Sequence, residues 1–429
     1  MSKEVLDVVI IGGGLAGLTA AVTLAQKGKK VAVLEKGKNL GGRGSSKEVS
    51  GAIFNLGPHA LYKKGDAIRI LKNLGIRVEG GTPNLHGKLY AQDTEYDLPS
   101  TFLSVLRTKY LNLKEKKEFI YLMLNIGKND QTKWFSQTLK EWVECNVHSE
   151  KNQELLYALC RLSSYINAPE LVSASPVLNQ LKISLGGALY VNRGWNSIID
   201  QLREKAIQLG VTIVPDSTVE NLNMINNPCV ITYKEKTETK QVYSEWVIST
   251  APPKETHRMI EHVQQTQLGQ ILKNCIPIKA ACLDVVLNHL PHPHHNFALD
   301  INQSLYYSNH SKSAKLSYHP QHQVIHVMKY LRTDEEADAE NIVISFLEKN
   351  QPGWMEHHVM KRFLPRIIVS HRIPTVGAPD VMESAQREFP RLLLAGEWVS
   401  NEALLAEAAV QTAIKAAEQI LANKGYEKN

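Results

Sequence analysis

The sequence predicts an α/β chain, in which a Rossmann-like nucleotide-binding domain is interleaved with an α+β domain of mixed sheet and helices. Three observations predict it. Residues 5–36 form a strand–glycine turn–helix–strand unit, and residues 98–165 are rich in helix formers with little Gly or Pro. Residues 276–330 alternate apolar and polar side chains, the period of antiparallel strands.

The first unit opens with an apolar strand, Val5–Ile11, that runs into Gly12-x-Gly14-x-x-Gly17. A helix follows, and a second strand, Val31–Leu34, ends on Glu35 and Lys36. Gly12 allows the tight turn, Gly14 lets the backbone approach a diphosphate, and Gly17 lets helix and strand pack closely. At Leu15 and Ala16 the helix N-terminus offers free N–H groups and a positive dipole end to phosphates. Glu35 can accept hydrogen bonds from ribose hydroxyls. Strand, turn, helix and acid together satisfy the context that makes this motif dinucleotide-binding.

Further along, Trp195–Leu209 reads as a helix, with short strands at Val211–Val214 and Val230–Tyr233. The apolar stretch Trp246–Ser249 stops at Ala251-Pro252-Pro253. Residues 334–362 read as helical, Arg391–Trp398 as a strand entering a loop, and Ala403–Leu421 as an alanine-rich helix. The expected division is a discontinuous nucleotide domain (1–80, 186–260 and 388–425) and a second domain (81–185 and 261–387) made of the helical insertion and the antiparallel sheet.

The 429 residues carry 49 basic and 43 acidic side chains, a net charge of +6 that does not suggest nucleic acid as a partner. Five scattered cysteines without C-x-x-C read as reduced thiols of a cytoplasmic protein. The amino-terminal strand leaves no room for a signal peptide, and no apolar run is long enough to span a bilayer, so membrane contact would be peripheral. Hydrolase, zinc-protease and P-loop motifs are absent. The histidine run His289–His295 holds two prolines and no acid, so it reads as a surface loop, and no metal is expected.

After the second strand come Gly41-Gly42-Arg43 and Gly51-Ala-Ile-Phe-Asn-Leu-Gly57-Pro58-His59. Later come Gly187-Ala-Leu-Tyr-Val-Asn-Arg193-Gly194-Trp195 and the closing Leu394-Ala395-Gly396-Glu397-Trp398. This order resembles the flavin-containing amine oxidase superfamily, most of all its phytoene desaturase and protoporphyrinogen oxidase branch. The resemblance implies FAD, held extended across the nucleotide domain. Gly12, Gly14, Gly17 and Gly42 would hold the pyrophosphate, Glu35 the adenosine ribose, and Arg43 the stretch near the ring. Val219 matches the position whose backbone meets adenine, and Gly396 and Glu397 match the loop at the ribityl arm. The last helix, entered through Leu405 and Ala406, would aim its positive end at the flavin. No cysteine lies in the last hundred residues, so non-covalent FAD is expected.

The same resemblance places His59 and Tyr62 beside the reactive face. Lys279 shares parity with Ala281, Leu283 and Val285, and some relatives hold a lysine on that strand. The implied activity is removal of hydride from a largely apolar, isoprenoid-like substrate. Without a second G-x-G-x-x-G, electrons would leave to oxygen or a quinone. The alternatives are an amine oxidase, with Trp398 as one wall of an aromatic cage, a protoporphyrinogen oxidase, and a non-catalytic prenyl-binding protein of the escort and dissociation-inhibitor type. Phe102–Leu124 mixes lysines with apolar residues. It reads more simply as an amphipathic helix packed on the core than as a membrane contact.

Overall fold

A computed structural model describes residues 4–84, 86–128, 134–224, 227–335 and 339–423. Two large sheets organise them. The first has seven strands and runs Thr212–Val214, Val31–Leu34, Val5–Ile11, Glu238–Ser249, Cys229–Glu235, Ser217–Asn223, with Leu392–Leu394 added alongside Glu238–Ser249. Its first four strands and Leu392–Leu394 are parallel. Two of those strands, Val31–Leu34 and Leu392–Leu394, are fully buried apolar runs, as a sheet covered on both faces requires. Helices Leu15–Ala25, Asn196–Gln208 and Leu405–Ala422 close the layers.

The second sheet runs His358–Ser370, Ile278–Leu287, Gln323–Tyr330, Leu305–Asn309, Phe297–Asp300, Lys88–Ala91, Thr94–Asp97. Its back face, with Leu283, Val285, Ile325 and Val327, packs on helix Glu340–Asn350 through Val343, Phe346 and Leu347. Its front face, with Ala280, Met328 and Tyr330, packs on Phe119, Leu155 and Ala158 of helices Leu113–Lys128 and Glu150–Ser164. Each large side chain buried in these layers contributes about 2 kcal/mol.

Three sequence readings change. Helix 334–362 is shorter: the helix is Glu340–Asn350, and from His358 the chain is a strand to Ser370. That strand lies at the sheet edge, where Lys361, Arg362 and Arg366 need not follow strict alternation. The last helix starts at Leu405, because Ala403 and Leu404 are still extended chain. Helices Gln267–Lys273 and Val381–Glu388, read as part of the second domain, pack their Leu268, Leu272, Val381 and Ala385 into the core of the first sheet. Their apolar stripes are short, and only the neighbouring strands decide which core receives them.

Candidate functional site

The parallel strands end level with one another: Val214 pairs with Leu34, Leu34 with Ile11, Ile11 with Ser249, and Ser249 with Leu394. Every loop that follows them therefore opens at one sheet edge, where doubly wound folds bind their ligands. Those loops carry Gly12–Gly14, Glu35 and Lys36, Thr250, and Gly396 with Glu397.

At the glycine turn the packing is uneven. Gly12 has φ of 101°, and a Cβ there would lie 2.4 Å from Thr250 Oγ1. A Cβ on Gly17 would lie 1.9 Å from the Gly12 carbonyl oxygen. These two glycines are needed by the fold itself. By contrast, a Cβ on Gly14 would meet nothing closer than 3.6 Å, and one on Gly42 nothing closer than 3.8 Å. The mouth of the turn is thus bare, open backbone. No side chain caps the helix that starts at Leu15, and no acid lies in its first turn. Its free N–H groups meet the requirement of a diphosphate.

A continuous set of contacts joins the remaining residues. Glu35 accepts from the Gly13 N–H at 2.6 Å and the Gly37 N–H at 2.7 Å. Gly41 N–H donates to the Gly13 carbonyl at 2.9 Å, which seats the Gly42-Arg43 turn beside the helix start. Arg43 donates to the Val369 carbonyl at 2.9 Å and forms an ion pair with Glu397. Glu397 also accepts from the His371 backbone N–H at 3.1 Å and lies 2.9 Å from His371 Nδ1. Burial alone would raise the Glu397 pKa, but Arg43 and His371 together hold it down to about 2. Gly396 N–H donates to Thr412 Oγ1 at 2.9 Å, which pins this loop to the last helix. That helix also starts without a side-chain cap; its first residue, Leu405, has φ of 56°, and Ala406 is half-buried. Arg43 is thus joined through Glu397 to the loop that leads into the last helix.

Val219 and Lys36 sit near Glu35. Ser217 N–H donates to the Glu35 carbonyl at 2.8 Å, so the Ser217–Asn223 strand starts beside Glu35. The Val219 carbonyl accepts from Arg258 at 3.2 Å, and Lys36 lies 3.9 Å from Glu255 at the exposed rim.

The candidate proton-handling residues are differently placed. The two ring nitrogens of His59 lie 2.9 Å from the Gly57 carbonyl and 3.1 Å from the Arg43 carbonyl, and its ring stands edge-on to Trp195. Burial lowers its pKa, although the two backbone contacts oppose this. It braces the arginine turn from within. Tyr62 is sealed inside: its hydroxyl donates to the Ser163 carbonyl at 3.0 Å, and burial raises its pKa. Tyr165, in a left-handed conformation, returns the tie by donating to the Pro58 carbonyl at 2.6 Å. Lys279 shares the back face with Ala281 and Leu283, on the side of helix Glu340–Asn350, and not the face that meets Gly57. Strand parity puts it on the side of the sheet away from Gly57. Trp398 is buried, with its indole N–H donated to the Ala251 carbonyl at 3.2 Å, so it walls no cage.

Sequence reasoning missed a buried network on the front face. Asp284 accepts from Arg362 Nε at 3.0 Å, lies 2.6 Å from His326 Nδ1, and accepts the Cys282 thiol at 3.2 Å. Arg362 also donates to the Asn55 carbonyl at 2.6 Å, close to the Gly57 turn. Burial would raise the Asp284 pKa, but His326 and Arg362 keep it below the ordinary value. Cys282, Asp284 and His326 could converge on a metal ion. Arg362 already neutralises the same carboxylate, and the contacts are hydrogen-bond lengths, so the cluster is an ion-pair network. The signal was available: an acid in the middle of a buried strand requires a cationic partner. His371 gave no such signal.

A family model for an NAD(P)-binding Rossmann-like domain matches residues 10–74. A carotenoid 3,4-desaturase from Haloarcula japonica is 52% identical over 52 residues, 12% of this chain and 10% of that protein. A 4,4'-diaponeurosporene oxygenase from Staphylococcus haemolyticus is 22% identical over 336 residues. That match covers 68% of this chain and 64% of the relative, so the chain spans less than two thirds of either relative's length. An oxidoreductase from Methanosarcina mazei superposes with a TM-score of 0.78 at 16% identity, covering 96% of this chain and all of that one (100%). The solved-structure likeness shows the fold, and the family model shows a Rossmann-like nucleotide-binding unit at its start.

Proposed function

We propose that this protein is an FAD-dependent oxidoreductase that withdraws hydride from a largely apolar, isoprenoid-like substrate. One observation carries the reading: two helix N-termini without side-chain caps, at Leu15 and Leu405, open at the same sheet edge, with Arg43 and Glu397 joined between them. Such an edge suits an elongated ligand with a diphosphate at one end and an anion-forming ring at the other. When bound, FAD supplies the two-electron acceptor. The similarity to proteins named carotenoid desaturase and oxygenase supports an apolar hydrocarbon substrate.

The chain's own part is placement and charge. Bare backbone at Gly14 and Gly42 admits the diphosphate, and Arg43 supplies a permanent positive charge next to it. The N-terminus of the last helix favours negative charge developing in the crevice. Ile367 and Cys282 of the sheet front face abut Gly57 and offer a largely apolar floor. His59 and Tyr62 hold the turn and transfer no proton. Electrons leave to oxygen or a quinone.

The purified protein should be yellow, with about one FAD released per chain on denaturation. In anaerobic assays it should bleach with an acyclic polyene precursor, and not with simple amines. Protein that is colourless and takes up no FAD sinks the proposal. Bleaching by amines with peroxide release would transfer the site to amine oxidation.

A further inference from the structure

One histidine beside the Arg43–Glu397 pair is held by its backbone and its ring at once. His371 follows directly on the strand His358–Ser370 and continues the row of Ile367 and Val369, whose side chains pack on the front face of the second sheet. Its backbone N–H donates to Glu397 Oε1 at 3.1 Å, and its Nδ1 lies 2.9 Å from the same oxygen. The other carboxylate oxygen, Oε2, is taken by Arg43, which also donates to the Val369 carbonyl. Arg372, the next residue, turns away to Asn401 and does not compete for Glu397.

These contacts fix the state of the ring. Burial opposes charge on Glu397, but Arg43 and His371 keep it ionised. An ionised carboxylate only accepts, so the hydrogen of the neutral imidazole sits on Nδ1. Nε2 then carries a lone pair, and it has no partner among the described residues. The His371 side chain is 17% exposed, against 7% for Glu397 beneath it. A carboxylate behind Nδ1 and an open lone pair at Nε2 suit a general base: the carboxylate sets the tautomer and balances the imidazolium that forms. His326 makes the same contact with Asp284, but that ring is wholly buried at 0% exposure. His59 has both ring nitrogens against carbonyl oxygens.

We propose that His371 is the base of the reaction, and that its Nε2 takes the proton the substrate sheds as a carbon–carbon double bond forms. This rests on the FAD-dependent reading above. Two neighbouring saturated carbons each lose one hydrogen. One C–H bond gives its hydrogen, with both electrons, to the bound flavin as oxidant. The other gives its hydrogen as a proton to Nε2, and its electron pair becomes the new π bond. The imidazolium lies against Glu397 and returns the proton to solvent from its exposed edge. The substrate class narrows accordingly, to a hydrocarbon chain with adjacent saturated carbons that leaves with one more double bond.

One test reads no turnover. In nitrogen NMR spectra of the purified protein, the His371 ring, assigned by the signal missing in His371→Ala, should be protonated at Nδ1 and bare at Nε2 in its neutral form. The opposite tautomer would overturn the proposal. In turnover, His371→Ala should keep the flavin content and melting temperature of the parent, yet form the desaturated product at least ~100-fold more slowly. Added imidazole should restore about tenfold or more of that rate. His371→Gln can still donate to Glu397 from its amide, and should fold like the parent and lose activity as far. Product formation within about threefold of the parent in both variants would overturn the proposal. So would a loss that follows lost flavin, or one that imidazole leaves unchanged. A protein that takes up no FAD sinks the redox reading by its colour, whereas a wrong tautomer or an active variant sinks the base alone.

Discussion

Glu397 and Glu407 are two buried carboxyls whose surroundings push them in opposite directions. Glu397 faces Arg43 and His371 and is held down to about 2. Its folded pKa lies below the unfolded one, so its contribution is present above pH 4.5 and fades as the pH falls towards 2. The difference corresponds to on the order of 3 kcal/mol. Arg43→Met should therefore cost about 3 kcal/mol at pH 7, by leaving Glu397 buried with only His371. It should also weaken FAD retention more than tenfold, read as flavin lost on gel filtration; a variant that stays yellow would refute the role given to Arg43. Glu407, in the first turn of the last helix, turns away from the crevice and accepts the Ala67 N–H at 2.7 Å. Burial, with Asp66 adding repulsion, raises it to about 7. Its contribution is complete below pH 4.5 and is lost as the pH rises through 7. Glu407→Gln should thus gain stability over the parent between pH 5 and 8 by up to about 3 kcal/mol. Urea unfolding at both ends of that range measures the gain, and a constant difference would contradict it. Lys279→Met, on the far face of the sheet, should leave flavin binding and turnover within about twofold.

Among elements, the nucleotide unit was legible because one short segment contains every constraint: the strand, the turn, the helix and the acid are all set by residues 5–36. Strand parity in Ile278–Leu287 was legible too, but the face that parity assigns to Lys279 was not, since only the position of helix Glu340–Asn350 decides which side is the back. The same holds for Tyr62, whose hydroxyl is claimed by a carbonyl a hundred residues away. Local pattern encodes periodicity, while partners at long sequence separation are set by packing. Within the glycine turn the geometry separates roles that the motif lumps together. Gly17→Ala places a carbon against the Gly12 carbonyl and should destabilise the domain by several kcal/mol. Gly14→Ala meets only ordinary contacts and should fold with a loss of about 1 kcal/mol or less, yet bind FAD at least tenfold more weakly by crowding the diphosphate. Calorimetry and flavin titration on the two variants check this. Equal thermal losses, or unimpaired FAD binding by Gly14→Ala, would show that the open mouth of the turn is not where the ligand lies.

On the scale of the whole molecule, the two sheets are joined close to the Gly57 turn by polar contacts of unusual depth. Asp284 of the second sheet holds Arg362, Arg362 holds the Asn55 carbonyl, and the Asn55 side chain accepts the Trp195 N–H at 3.0 Å from within the first core. The reciprocal tyrosine ties, Tyr62 to Ser163 and Tyr165 to Pro58, fasten the helical layer to the same turn. A crevice that must hold a ligand between two halves gains from such fixed spacing, because apolar contacts alone set no register. Asp284→Asn keeps the shape but leaves Arg362 without its counter-charge in a largely buried position, which should cost about 3 kcal/mol. Removing both charges, as Asp284→Leu with Arg362→Met, should recover much of that loss, since the pair also costs desolvation. The parent should unfold in one cooperative step in urea. Asp284→Asn should show the second domain melting first, with tryptophan and flavin signals no longer coincident. Coincident transitions in Asp284→Asn at unchanged midpoint would mean that the bridge couples nothing, and that the apolar layers alone hold the halves together.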